Sequence, residues 1–149
     1  NITVFKKGEV INSVLNTDIK AYIDGHPIRS FNIDGKTAIV AEDLKKYGFS
    51  VNFDPEKRAL KIYDSKGKIT STYKHEKSTK PVGSKAMDVI ATDINTYTTY
   101  KQSSGNKYDL KVTGYNIDGY TVIFIDSLKV YGKVKWDEEA RTISFKRSK

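Results

Sequence analysis

The sequence predicts an α+β fold in which two tandem β-β-β-α-β-β repeats each form a five-stranded antiparallel sheet curved around one short helix. Three observations predict it. The 149 residues suffice for one ordinary domain or two small ones, the second half of the chain repeats the first, and turn dipeptides separate apolar-rich stretches. The predicted units are a first repeat at 1–63, a Lys-rich linker at 64–85, and a second repeat with an extended hairpin and a basic tail at 86–149.

The internal repeat aligns nearly the whole chain with itself once two gaps are allowed. Residues 17–19 (Thr-Asp-Ile) recur 75 positions later, and residues 32–35 (Asn-Ile-Asp-Gly) recur 84 positions later. After one deletion the offset becomes 83, which matches Arg58 with Arg141. A unit of about 60 residues is marginally stable by itself. We therefore expect the two copies to share an interface, or each to be supported by the N-terminal segment and the linker.

Three strands are predicted in the first copy, at 19–23, 28–33 and 36–40. The dipeptides Asp24-Gly25 and Asp34-Gly35 separate them. Glycine and aspartate tolerate the positive φ that a tight hairpin turn requires. Each dipeptide is therefore predicted to be a hairpin turn.

A short helix and two further strands complete each copy. Val40, Leu44 and Tyr47 follow helical spacing, and Gly48 can adopt the left-handed conformation that ends a helix. Phe49, Val51 and Phe53 then alternate as one face of a strand, and a turn at 54–57 leads to the last strand, which carries Leu60 and Ile62. The corresponding positions of the second copy are Phe124, Leu128, Tyr131, Gly132, Val134, Trp136, Ile143 and Phe145.

Two segments distinguish the halves. The 22-residue linker at 64–85 is rich in Lys, Ser, Thr and Gly, and its stretch from Ile69 to Tyr73 could add a short strand. The first hairpin of the second copy is nine residues longer than its counterpart, with its predicted tip at 103–106.

Composition and charge exclude several classes of function. The chain has no Cys, which excludes disulfides and thiol chemistry, and no apolar run approaches the roughly 20 residues of a membrane-spanning helix. The net charge is +8, but seven of those charges lie in the linker and in the last four residues. A specific nucleic-acid site needs its Lys and Arg together on a folded face, so none is predicted. Weak attraction of the linker and tail to an anionic polymer stays open beside a simple solvated linker.

No catalytic, cofactor-binding or metal-binding residue is predicted. His26 lies in a turn and His75 in the linker, where exposure is the simpler interpretation, and a zinc or copper site needs three or four ligands. Asp34 and Asp118 resemble calcium-loop residues only superficially, and turn formation explains them better. The pairs Asp54/Arg58 and Asp137/Arg141 flank tight turns and are predicted to cap the turn or to form a hairpin ion pair. Duplicated carboxylates also suit a structural role better than an active site.

Tyrosines are the one group with functional promise. Exposed aromatic side chains can stack on sugar rings or anchor a protein partner, although tyrosine also covers half-buried sheet faces. The candidates for ligand contact cluster in the second copy, several of them along the extended hairpin: Tyr97, Tyr100, Tyr108, Tyr115 and Tyr120.

The order of these motifs resembles the copper amine oxidase N-terminal domain-like (stalk) family. Both copies show Thr-Asp-Ile, a hairpin, Asn-Ile-Asp-Gly, a helix ending in Tyr-Gly, Val-x-Phe-Asp or Val-x-Trp-Asp, an Arg and a closing apolar strand. The resemblance implies a five-stranded antiparallel sheet around one helix and a non-catalytic module of exported or surface proteins in Gram-positive bacteria. It does not imply copper, because that chemistry needs three His ligands and a modified Tyr in a different domain, and this chain has two His.

The leading functional hypothesis is an exported, cell-wall-associated module without catalytic activity. It would space or anchor attached domains, or bind cell-wall glycan, an anionic wall polymer or a surface protein. One alternative is a peptide- or protein-binding module that uses an exposed sheet edge. A second is a hydrolase that uses carboxylates such as Asp93 or Asp118.

Overall fold

The computed structural model describes residues 5–148 and shows a mixed α+β chain that is mostly β-sheet, with two short 3₁₀ helices. The helices span Ala41–Lys46 and Ile125–Tyr131. The strands of the described residues, β1 to β14 in chain order, span Val10–Leu15, Lys20–Ile23, His26–Ile28, Ser30–Ile33, Lys36–Val40, Ser50–Asp54, Ala59–Tyr63, Lys85–Ile90, Asn95–Lys101, Lys107–Val112, Gly114–Ile117, Tyr120–Phe124, Gly132–Asp137 and Thr142–Arg147.

The strands form a closed six-stranded barrel and two four-stranded sheets beside it. The barrel order is β1-β4-β5-β12-β11-β8, so each half of the chain contributes three strands. Flank sheet I has the order β13-β14-β2-β3, and flank sheet II has the order β10-β9-β7-β6. Each flank sheet therefore combines one hairpin from each half.

The prediction that each repeat builds its own five-stranded antiparallel sheet is wrong. In flank sheet I, β2 pairs in parallel with β14, with Lys20 opposite Thr142. In flank sheet II, β7 pairs in parallel with β9, with Ala59 opposite Asn95. The prediction also missed β1 and β8, which pair with each other in the barrel. Strands of the two halves thus find partners across the repeat boundary, and the hydrogen-bonded sheets join both halves.

The pairing of strands between the two halves follows an approximate two-fold symmetry. Ser13 pairs with Asp88 and Ile39 with Ile123, and in both cases the partner is the residue's own repeat equivalent. Paired hydrogen bonds obey the same relation, since the Gly8 amide donates to the Ala91 carbonyl at 3.0 Å and the Gly83 amide donates to the Asn16 carbonyl at 2.8 Å. An axis between β1 and β8 and between β5 and β12 therefore relates the halves, as in a dimer that exchanges strands.

Two apolar clusters form the core. The smaller one fills the barrel with Val14, Ile33, Ala38, Val40, Val89, Ile117 and Val122. The larger one lies outside the barrel wall and contains Ile23 and Phe145 from flank sheet I and Leu60 and Ile62 from flank sheet II. Because side chains of both flank sheets share this cluster, the expected interface between the copies is present.

Turns and helices form where the sequence predicts them. Asp24 and Asp34 have φ of 48° and 52°, each followed by a glycine that also has positive φ. Gly48 has φ of 88°, and a Cβ at this position would lie 2.4 Å from the carbonyl oxygen of Gly67. Gly132 instead has φ of 174°, which is extended backbone, and it begins β13. At this position glycine is required because the backbone of β14 lies very close. A Cβ on residue 132 would lie 2.0 Å from the Lys146 carbonyl oxygen.

Part of the linker packs on the molecule, although most of its residues are exposed. Ile69 forms a single bridge to Tyr47, so the short strand suggested for Ile69–Tyr73 is reduced to one residue pair. His75, expected to be exposed, is half-buried. Its Nε2 donates to the Ala21 carbonyl at 3.1 Å, and its ring meets Tyr22 and Tyr73 edge-on. The segment therefore covers part of flank sheet I.

One residue of the basic tail, Arg147, packs against the fold. Arg147 keeps only 14% of its side chain exposed and pairs with Asp64, at 2.9 Å, and with Asp24. Its guanidinium also lies 4.2 Å from the ring centre of Phe49 and donates to the Tyr47 carbonyl. Arg147 thus ties the end of the chain to the start of the linker. Lys149 lies outside the described residues.

Candidate ligand-binding surfaces

The structure divides the five candidate tyrosines among three locations. Tyr97 lies on the outer face of flank sheet II, whereas Tyr100 and Tyr108 lie on the opposite face of the same hairpin. Tyr115 and Tyr120 belong to barrel strands β11 and β12. The expected single cluster is therefore three separate environments.

The outer face of flank sheet II carries lysines around two half-buried tyrosines. Alternation along each strand puts Lys61 and Tyr63 of β7, Tyr97 and Lys101 of β9, and Lys107 and Lys111 of β10 on this face. We call these six residues the lysine–tyrosine face. The Lys107 Nζ lies 5.8 Å from the ring centre of Tyr63, which confirms that β10 and β7 present their side chains on one side.

Charge on this face is predominantly positive. Its carboxylates are Asp54 and Asp109, against four lysines. Asp109 accepts from the Thr99 hydroxyl at 2.6 Å and pairs with the Lys61 Nζ at 2.9 Å. These two contacts lower the pKa of Asp109, and the same ion pair raises the pKa of Lys61. Lys101, Lys107 and Lys111 are left as exposed cations that make no ion pair within residues 5–148.

The opposite face of the extended hairpin is apolar at its open edge. Tyr100 and Tyr108 are cross-strand neighbours whose rings stack with centres 5.5 Å apart. Tyr108 and Leu110 remain 42% and 44% exposed on β10, which is an edge strand of its sheet. Unpaired backbone groups beside exposed apolar side chains are the features that allow an edge strand to accept an extended peptide.

The two barrel tyrosines make structural contacts. Tyr115 packs edge-on against Phe124, with ring centres 5.9 Å apart. The guanidinium of Arg29 lies 4.7 Å from the ring centre of Tyr120, and Arg29 also pairs with Asp43 at 3.1 Å. Both rings therefore already have partners within the fold.

Carboxylates at repeat-equivalent positions join the two halves. Arg58 donates to Asp93 at 2.7 Å and Arg141 donates to Asp18 at 3.1 Å, so each arginine binds the aspartate of the other half. The hydrogen bonds from these arginines lower the pKa of Asp93 and Asp18. A carboxylate with a lowered pKa holds negative charge and is a poor proton donor near neutral pH.

The aspartates predicted to cap turns accept hydrogen bonds from backbone amides. Asp54 accepts from the amides of Glu56 and Lys57, and Asp137 accepts from the amide of Ala140 at 3.1 Å. The turn-capping prediction for these two aspartates is confirmed. Asp118 has φ of 52° in the turn between β11 and β12. Among the described residues, no three His, Asp or Glu side chains lie close enough together to hold a metal ion.

Sequence reasoning missed one feature, a cleft between the barrel and flank sheet I. Its volume is about 500 Å³, and Trp136, Phe124 and Lys36 contribute to its lining. Trp136 is the sole tryptophan of the chain and remains 41% exposed. Its place in an alternating strand made it resemble a core residue. Only the strand order of the structure shows that Trp136 lies on an edge strand, so no sequence signal marked it as exposed.

Comparisons with known proteins leave the family open. No protein-family model matches the chain, no curated protein matches it, and no solved structure matches it. Separately, no helix within residues 5–148 is long and apolar enough to cross a membrane.

Proposed function

We propose that the protein is a non-catalytic, exported module of the bacterial cell envelope that binds an anionic wall polymer through the lysine–tyrosine face. The motif order that resembles the stalk family supports the location and the absence of catalysis. The observation that carries the ligand class is the face itself, where four lysines surround Tyr63 and Tyr97 on a sheet surface.

The chemistry of this face suits a long, negatively charged chain. Lysine side chains that carry unpaired charge attract anionic groups over roughly 8 Å at physiological salt. Tyrosine rings provide rigid, amphipathic contact area that loses little conformational entropy on binding. A sheet face offers these groups at regular spacing, about 6.4 to 6.8 Å between alternate residues of a strand. Such a face fits a repeating polymer better than a compact ligand. It also allows the module to anchor attached domains to the wall.

A sedimentation assay with purified Gram-positive cell walls tests this proposal. The wild-type protein should co-sediment with walls, and the half-saturating concentration should rise at least several-fold between roughly 20 and 200 mM NaCl because salt screens the lysines. The double variant Lys107→Ala/Lys111→Ala should bind several-fold more weakly. Walls from which the anionic polymer has been extracted should bind the wild-type protein weakly.

The matched control is Lys133→Ala/Lys135→Ala. These lysines lie on β13, on the outer face of flank sheet I, and are also exposed. The control should bind walls as the wild type does. Equal losses in the two double variants, or binding that ignores both salt and polymer extraction, would contradict the assignment of the face.

A second candidate function is capture of an extended peptide by the open edge of β10, favoured by the exposed Tyr108 and Leu110. Backbone hydrogen bonds and apolar contacts depend little on salt, so this interface would keep its affinity at 200 mM NaCl. Tyr108→Ala/Leu110→Ala would abolish such binding and leave polymer binding unchanged.

The remaining alternative, a carboxylate-based hydrolase, makes a different prediction. It requires turnover of a glycan or peptide substrate that is lost in Asp93→Asn or Asp118→Asn. The ion pair that lowers the pKa of Asp93 favours a structural role for that residue instead.

A further inference from the structure

Residues from both halves of the chain line the cleft between the barrel and flank sheet I. Strands β4 and β5 contribute Asn32 and Lys36, the end of β12 contributes Phe124, and β13 and the following turn contribute Trp136 and Arg141. Its volume of about 500 Å³ lies within the range of sites that hold small molecules. The cleft thus has the dimensions of a site for a few sugar units.

Trp136 presents a fixed aromatic surface in this cleft. Its Nε1 donates to a Glu138 carboxylate oxygen at 2.9 Å, and the Arg141 guanidinium lies 5.4 Å from its ring centre. The ring is nevertheless 41% exposed. These contacts orient the ring before any ligand arrives, which reduces the entropic cost of binding.

The cleft also carries a cation with no carboxylate partner. Lys36 is exposed, its Nζ lies 5.4 Å from the ring centre of Phe124, and it makes no ion pair with any residue in 5–148. By contrast, Arg141 already pairs with Asp18 at 3.1 Å and approaches Glu138 at 3.7 Å. Lys36 is therefore the group available to an anionic substituent of a ligand.

Polar groups complete the lining of the cleft. The Asn32 Oδ1 accepts from the Gly35 amide at 3.2 Å, which leaves the Asn32 side-chain NH₂ as a donor, and the Asp126 carboxylate supplies acceptors. A ligand complementary to this set has an apolar ring face, hydroxyl groups around its edge and a negative charge. Carbohydrates that carry a carboxylate combine these three properties.

We infer that this cleft binds a short carbohydrate that carries a carboxylate, with Trp136 stacking on a sugar ring and Lys36 pairing with the carboxylate. The site is separate from the lysine–tyrosine face and does not depend on the polymer binding proposed for it. Two kinds of sugar carry such a carboxylate, a uronic acid and an amino sugar with a lactyl ether.

The repeat supplies a built-in comparison for this site. At the equivalent positions of the other half, Phe53 replaces Trp136, Tyr120 replaces Lys36 and Val40 replaces Phe124. Arg58 lies 5.7 Å from the ring centre of Phe53, so the aromatic–arginine contact is retained. The unpaired lysine is not retained, because Tyr120 stands at its position, and Val40 stands at the position of Phe124. The equivalent place should therefore not bind the carbohydrate.

Tryptophan fluorescence reports directly on the cleft because Trp136 is the sole tryptophan. Titration with trigalacturonate should give a saturable change, and neutral triacetylchitotriose should bind at least several-fold more weakly. Titration with N-acetylglucosaminyl-N-acetylmuramic acid in parallel distinguishes a uronic acid from a lactyl ether as the preferred source of the carboxylate. Lys36→Ala and Lys36→Gln should each weaken binding of the acidic sugar about tenfold, the cost of losing one charged contact.

Two control variants make the result specific. Phe53→Ala, at the repeat equivalent of Trp136, and Lys133→Ala/Lys135→Ala, on the outer face of flank sheet I, should leave the fluorescence response to trigalacturonate unchanged. The test variant Trp136→Phe should bind trigalacturonate more weakly, and calorimetry measures this because the variant has no tryptophan. Circular dichroism identifies any variant that fails to fold.

The inference is overturned if neither acidic sugar gives saturable binding, if neutral and acidic sugars bind equally, or if folded Lys36 variants bind as tightly as the wild type. If the wild-type protein bound trigalacturonate but did not bind cell walls, the polymer proposal alone would be rejected.

Discussion

Flank sheets I and II are built from equivalent strands, yet they present different surfaces. In flank sheet I the hairpin of β2 and β3 is short, and the linker packs His75 against Tyr22. In flank sheet II the hairpin of β9 and β10 has seven- and six-residue strands, and its outer face carries exposed lysines. The two flank sheets thus share a framework of equivalent strands, and the linker and the longer second hairpin give them different surfaces.

The largest expected effect tests whether the two flank sheets are independent. Phe145 of flank sheet I is fully buried in the cluster that also holds Leu60 and Ile62 of flank sheet II. Phe145→Ala should lower the free energy of unfolding by about 3–5 kcal/mol, because it leaves a large cavity. Calorimetry of wild type and variant should each show one transition. Two well-separated transitions would show that the sheets unfold separately.

A smaller effect is expected at the contact between the chain end and the linker. Arg147→Ala should cost about 2–3 kcal/mol, because Asp64, only 7% exposed in its side chain, loses a charged partner. Lys146→Ala is the neighbouring control, since Lys146 is exposed. Urea denaturation measures both. If the two variants had the same midpoint, the Arg147 contacts would contribute nothing to stability.

The smallest effect concerns the linker that distinguishes flank sheet I. Burial lowers the pKa of His75 below its usual value of 6.5, so the folded state favours the neutral imidazole. The unfolded or undocked segment binds a proton more readily. The stability from docking is therefore complete above about pH 6.5 and is lost as the pH falls through the lower pKa of the docked state. Proteolysis of the linker should become several-fold faster at pH 5 than at pH 7.5.

His75→Phe provides the comparison for this pH effect. It keeps a ring against Tyr22 and Tyr73 but cannot titrate, so its cleavage rate should show no such acceleration. His26→Gln should behave as wild type, because His26 is exposed. An acceleration of equal size in His75→Phe would assign the pH dependence to another group.

Much of the candidate surface was visible in the sequence, but its grouping was not. The extended hairpin and its tyrosines follow from the nine-residue length difference between the copies. Which tyrosines share a face depends on strand register, which places Tyr97 opposite Lys111 and Tyr100 opposite Tyr108. Trp136 and Lys36 are 100 positions apart in the sequence, and no local pattern brings them to one cleft.

The amino-acid sequence by itself determined the turns, the short helices and most of the strands. These elements depend on local preferences. Asp24 and Asp34 tolerate the positive φ of a tight turn, and the helical spacing of apolar residues places Leu44 on the buried side of the first short helix. Tertiary structure alone decided which strands pair. Because the two halves carry the same pattern, a strand such as β2 meets equivalent hydrogen-bonding partners within its own half and in the other. Closure of the barrel and formation of a common core select the exchanged arrangement, and those are properties of the whole chain.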